Sequence, residues 1–144
     1  MNARLKYLLA LTALALAPLA RADFYLIVPS TNPQPSLSHK EAVDLFMGRN
    51  RAFQNGDLAQ TYDWPRDSVE RAEFYRNLTG MAPAQINSYW ARLMFSGQTL
   101  PPQSVADEAA MIDTVKRKPG ALGWVRKEPV DKQLRVLLVI REVP

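Results

Sequence analysis

The residues whose types and spacing best suit chemistry form one short segment, Arg66-Asp67-Ser68-Val69-Glu70-Arg71. A helix is expected to begin within it. The first turn of a helix presents backbone N–H groups without partners and the positive end of the helix dipole. Ser68 adds a hydroxyl and Arg66 a guanidinium fork, and together these groups suit a tetrahedral oxyanion. The same residues also have a purely structural reading. Asp67 as N-cap with Glu70 three residues on makes a capping box, which leaves Arg71 on a solvated helix face. Glu70 opposes an anion site, because a carboxylate beside a bound anion costs Coulomb energy unless an arginine pairs with it. A second candidate is Ser30-Thr31, in the loop that leaves the first expected strand. Open α/β sheets bind ligands at the carboxyl ends of their strands, although an ordinary polar turn before Pro33 needs the same residues.

Other chemistries are excluded by composition. The 144 residues contain no cysteine and one histidine, His39. That removes disulfides, thiolate metal sites, cysteine nucleophiles and multi-histidine zinc sites. No acid–base or nucleophile constellation recommends itself, so the chain is expected to be no enzyme and to need no cofactor or metal. The aromatic residues Phe46, Phe53, Trp64, Phe74, Tyr75, Tyr89, Trp90, Phe95 and Trp124 lie mostly at helix-core spacing and are expected in the core rather than in a ligand cage.

The first 22 residues read as an address. Arg4 and Lys6 precede an uncharged apolar run from Tyr7, Pro18 breaks it, and Ala20-Arg21-Ala22 has the small-x-small form of a cleavage site. The run is shorter than the roughly 20 residues of a membrane span. Residues 1–22 are thus expected to be a signal peptide cleaved after Ala22, with a single domain over residues 23–144. Of 18 Lys and Arg, three lie in the signal, which leaves 15 against 14 Asp and Glu. A nucleic-acid partner needs a dense basic face, and this charge balance does not supply one. The run Lys116-Arg117-Lys118 reads as cations at a helix C-terminus.

The elements that must position the candidates alternate between the two periods. Phe24-Tyr25-Leu26-Ile27-Val28 suggests a strand buried on both faces, as in a parallel sheet covered by helices. Ser38 and Glu41 form a capping box that opens a helix ending before Gly48. A strand is expected within 58–64, a helix over 68–78, and a third helix from Pro83. The third helix has Ile86, Tyr89, Trp90, Leu93 and Met94 on its apolar side. Pro101-Pro102 is a stiff loop. A fourth helix is expected from Ser104 or Val105 to Lys116, and strands over Ala121–Val125 and Leu134–Ile140. Strands alternating with helices argue an α/β fold.

Several of these motifs, in this order, carry a resemblance. They are Val28-Pro29-Ser30, Leu45-Phe46-Met47-Gly48, Arg66-x-Ser68-x-x-Arg71-x-x-Phe74, Tyr89-Trp90 with Phe95-Ser96-Gly97, Pro101-Pro102, and Pro119-Gly120-Ala121-Leu122-Gly123-Trp124-Val125. The set resembles small exported relatives of the phosphate-binding proteins of ABC transporters, in the type 2 periplasmic binding protein superfamily. The resemblance implies a three-layer α/β/α sandwich with a small mixed sheet, like one lobe of such a protein. It implies a periplasmic, non-enzymatic domain that binds phosphate or a similar oxyanion. Arg66, Ser68 and the N–H groups near Val69 and Glu70 would be at the centre, with Arg71, Ser30 and Thr31 nearby. Three departures weaken the site: Val69 stands where the family has a glycine, Glu70 where it has a hydroxyl, and the spacing from Arg66 to Ser68 is shorter. The chain is expected to correspond to one lobe, without the family's second. A ligand-free interaction or sensory module docking to an inner-membrane transporter or sensor is therefore the alternative, and a homodimer that rebuilds a two-lobed cleft stays open.

Overall fold

A computed structural model describes residues 23–142. The expected signal peptide, residues 1–22, lies outside the described residues. Nine elements follow in order: β1 (Phe24–Pro29), α1 (His39–Phe46), β2 (Gln60–Asp63), α2 (Val69–Thr79), α3 (Pro83–Phe95), β3 (Gln103–Ser104), α4 (Glu108–Arg117), β4 (Ala121–Val125) and β5 (Leu134–Ile140). The strands form one sheet in the order β3-β2-β4-β1-β5.

The sheet is mixed. β2 runs parallel to β3 and β4, whereas β1 runs antiparallel to both β4 and β5. The expected two-sided burial of β1 holds, since Phe24, Leu26, Ile27 and Val28 are all fully buried. Its expected parallel setting does not. An apolar run reports that both faces are covered and says nothing about strand direction.

Two apolar cores sandwich the sheet. Phe24, Leu26 and Val28 point to one face, where α1, α2 and α3 contribute Leu45, Phe46, Phe74, Leu78, Ile86 and Trp90. Ile27 points to the other, where α4 contributes Met111 and Val115. The three-layer α/β/α sandwich follows from this period-2 alternation along β1. Gly123 in β4 lets α4 approach closely, because a Cβ there would stand 2.5 Å from Met111 Sδ.

Local signals explain most boundaries. Ser38 caps α1 in a reciprocal box: its Oγ accepts from Glu41 N at 3.1 Å and its N–H donates to Glu41 Oε2 at 2.7 Å. Pro83 opens α3, and Gly80, at φ 75°, closes α2. The start of α4 differs from expectation. Ser104 and Gln103 pair with β2 instead, and Asp107 caps the helix through Ala110 N at 2.8 Å. Tertiary pairing overrides a helical pattern that reaches one turn too far upstream. Lys116 and Arg117 occupy the last turn of α4, as expected. Among the described residues no helix is long and apolar enough to cross a membrane.

Candidate functional site

β2 delivers the chain to the start of α2, and its last residue, Asp63, organises everything there. Asp63 is buried and accepts four hydrogen bonds. Arg71 Nε (3.0 Å) and the Tyr75 hydroxyl (2.8 Å) donate to Oδ2, and Trp64 N (2.8 Å) and Trp124 Nε1 (3.2 Å) donate to Oδ1. Burial pushes the Asp63 carboxyl above its ordinary range, and the Arg71 charge and these hydrogen bonds pull it back only in part. Burial and the Asp63 charge push the Tyr75 hydroxyl well upward. Trp124 stacks on Phe74 at 4.3 Å and on Trp64 at 5.2 Å between ring centroids, so an aromatic slab backs the carboxylate. In the sequence Asp63 is simply one residue of the strand expected within 58–64. No local pattern marks a carboxylate whose partners are 8, 12 and 61 residues away.

The N-cap of α2 is Ser68, one residue later than the capping box led by Asp67 would require. Ser68 Oγ accepts from Arg71 N at 3.3 Å and donates its proton to Pro65 O at 2.7 Å. The serine hydroxyl thus completes the turn 65–68 and the first helical turn together. Val69 is 68% exposed and Glu70 half-buried. Their backbone N–H groups have no acceptor among the described residues, as helix geometry dictates for a first turn. Arg71 is buried, with Nη1 donating to Arg66 O at 3.4 Å and its guanidinium 5.0 Å from the Tyr75 ring centroid. It is committed to Asp63 rather than lying on a solvated face. The Arg66 side chain is exposed and makes no hydrogen bond or ion pair among the described residues.

Arg66, Ser68, Val69, Glu70 and Arg71 are therefore together, but Ser30 and Thr31 are not with them. Because β1 runs against β4, its carboxyl end lies at the entrance of β4, where Asn32 Nδ2 donates to Pro119 O at 3.4 Å. Arg66 and Ser68 follow the exit of β2, level with Trp124 at the far end of β4. Roughly 15 Å of strand separates the two edges, at about 3.3 Å per residue. The expectation that Ser30 and Thr31 stand near Arg66 is corrected by strand direction. Their loop has a structural task instead. Asn32 Oδ1 accepts from Gln34 N at 2.9 Å, Gln34 Oε1 accepts from Gln54 N at 3.0 Å, and Arg135 donates to the carbonyls of Asn32, Gln34 and Pro35.

A cleft of about 660 Å³ opens beside the start of α2. Asp63, Trp64, Arg66 and Arg71 form one side, α3 the second and Pro101-Pro102 the third. Two expected core residues of α3 lie outside the core. Met94 is 52% and Phe95 97% exposed, while Ile86 and Trp90 are buried. Leu93, in the same turn, stays packed on the core, whereas Met94 and Phe95 line the cleft.

No family model matches the chain, and no curated protein does. Solved structures match its fold. One is a protein from Clostridium perfringens assigned as a phosphate ABC transporter substrate-binding protein and solved with bound phosphate. It has a TM-score of 0.63 and 16% identity over 81% of this chain and 45% of the other. Another is an ABC-type phosphate transport receptor from Vibrio cholerae, at a TM-score of 0.61 and 15% identity over 81% of this chain and 46% of the other. The chain spans less than half the length of these structures, and what it shares with them is the α/β fold of phosphate-binding proteins of ABC transporters.

Proposed function

We propose that this chain is an exported, periplasmic, non-enzymatic solute-binding domain that holds phosphate or a similar oxyanion at the start of α2. The observation that carries the reading is the pairing of a shared fold with a helix start that offers unpaired donors. The Val69 and Glu70 amides and the free Arg66 guanidinium lie within a few residues of one another, at the carboxyl end of a parallel strand. Ser68 takes part by fixing the turn, because its own proton goes to Pro65 O. Arg71 takes part by cancelling the Asp63 charge behind the site. Glu70, at the same turn, limits affinity through repulsion.

Calorimetric titration of the purified chain with inorganic phosphate tests this. Saturable heat is expected, with affinity in the micromolar to millimolar range (about 4–8 kcal/mol). Arg66→Ala is expected to weaken binding at least tenfold, since a charge-assisted contact contributes about 1.5–3 kcal/mol. Unchanged affinity in that variant removes Arg66 from the site. A second reading is favoured by the exposed Val69 and the committed Ser68 hydroxyl, which leave fewer donors than the family pattern. In it the domain binds no solute and docks to an inner-membrane transporter or sensor. Absence of phosphate heat, together with a stoichiometric membrane partner in a cross-linking pull-down, would select it.

A further inference from the structure

The cleft beside Arg66 is larger and more apolar than an inorganic oxyanion needs. A tetrahedral anion fills the space of a few waters, on the order of 100 Å³ at about 30 Å³ per water. The cleft measures about 660 Å³, within the range of pockets that hold organic ligands. Its apolar lining comes from Trp64, Trp90, Met94, Phe95 and Pro101-Pro102. Phe95 is almost fully exposed, and large apolar groups grouped at one concave surface mark a binding site.

The polar groups of the cleft are mostly donors. Asp63 is saturated by four hydrogen bonds and neutralised by Arg71, so Arg66 leaves the lining one net positive charge. The Asn87 side chain, like that of Arg66, has no partner among the described residues.

We infer that the cleft between α2, α3 and Pro101-Pro102 binds an organic anion, with a compact phosphate or carboxylate head at Arg66 and an aromatic or branched apolar body against Trp90, Met94 and Phe95. The inference rests on the reading that an anion is held at Arg66, and it adds the apolar body as the main determinant of affinity. A bare phosphate would touch only the Arg66 corner and leave the apolar wall in water. An apolar body removes that wall from water.

The test compares inorganic phosphate, phenyl phosphate, 1-naphthyl phosphate and neutral 1-naphthol, read by calorimetry. Affinity is expected to rise at least tenfold from phosphate to 1-naphthyl phosphate, and 1-naphthol is expected to bind at least tenfold more weakly than its phosphate ester. Ala91→Trp puts an indole into the cleft from an exposed helical position. It is expected to lower 1-naphthyl phosphate affinity at least tenfold while circular dichroism shows the fold intact. Equal affinity for phosphate and 1-naphthyl phosphate would overturn the apolar body and leave the oxyanion reading standing. Binding of 1-naphthyl phosphate without measurable phosphate binding would support the inference and reject phosphate itself as the ligand. Equal binding of 1-naphthol would overturn the anionic head, and no binding of any probe would overturn both readings.

Discussion

Asp63 and Arg71 behave as one unit. The carboxylate is buried, so its four donors must solvate it: two come from α2, one is the Trp64 amide just after β2, and one is the Trp124 indole of β4. Removing one charge strands the other in a low-dielectric setting, which typically costs about 3–5 kcal/mol. Asp63→Asn is the informative change. The amide oxygen can still accept from Trp64 N and Trp124 Nε1, but the amide nitrogen then faces two donors, Arg71 Nε and the Tyr75 hydroxyl. We expect Asp63→Asn to lower unfolding stability by about 3–5 kcal/mol in urea denaturation, and Asp63→Asn with Arg71→Met to recover part of that loss. A loss below about 1 kcal/mol would mean that water reaches the pair. The same pair explains why Arg71 resists a ligand role. A guanidinium already bound through Nε, with a backbone carbonyl on Nη1, can present little of its fork to an anion, whereas Arg66 can present all of it.

Among the elements, α1 shows how far a local rule reaches. Its capping box joins Ser38 and Glu41 across one turn, and Gln54 Nε2 adds a bond to Glu41 Oε1 at 2.8 Å. These hydrogen bonds, that from the Ser38 backbone first, hold the Glu41 carboxyl below its ordinary range. A depressed carboxyl contributes stability that is present above its unfolded pKa and lost as pH falls through its folded pKa. Glu41→Gln keeps an acceptor for Ser38 N and removes the titration. Thermal melts of the two proteins are therefore expected to converge as pH is lowered from neutral to below the ordinary glutamate range. A gap that stays constant with pH would contradict the linkage. Ser38→Ala is expected to cost about 1 kcal/mol at every pH. Such signals are local, which is why α1, α3 and the strands Ala121–Val125 and Leu134–Ile140 were legible in the residues alone. The start of α4 was less so. Asp107 is as good a cap as Ser104, and only the pairing of Gln103 and Ser104 with Tyr62 and Asp63 decides between them.

Over the whole molecule, what the sequence could not show is direction and edge. The apolar run of β1 reads the same for a parallel or an antiparallel strand, and that one binary choice moved Ser30 and Thr31 to the opposite edge from Arg66. The exposed end of α3 was likewise hidden, since helical spacing does not distinguish a side chain that meets the core, such as Leu93, from one that lines a cleft, such as Met94. The direction of β1 also governs how the fold holds together. Residues 24–29 lie between strands more than 90 positions downstream, with Tyr25 opposite Val125 and Phe24 opposite Ile140. Both apolar cores take residues from β1, Ile27 on one side and Leu26 and Val28 on the other. Neither core can therefore form before the most distant parts of the chain have met. Such non-local closure makes folding slow and ties the sheet to a single cooperative unit. Amides of β1 and β4, and the β5 amides that pair with β1, are expected to exchange with deuterium only through global unfolding, at one common free energy that matches the urea transition and is of order 5–15 kcal/mol. The two residues of β3, exposed at the sheet edge, and the last turn of α3 are expected to exchange well before them. If the β5 amides paired with β1 exchanged ahead of β4, the antiparallel pair β1–β5 would be an appendage and the cooperative centre would lie in the parallel half of the sheet.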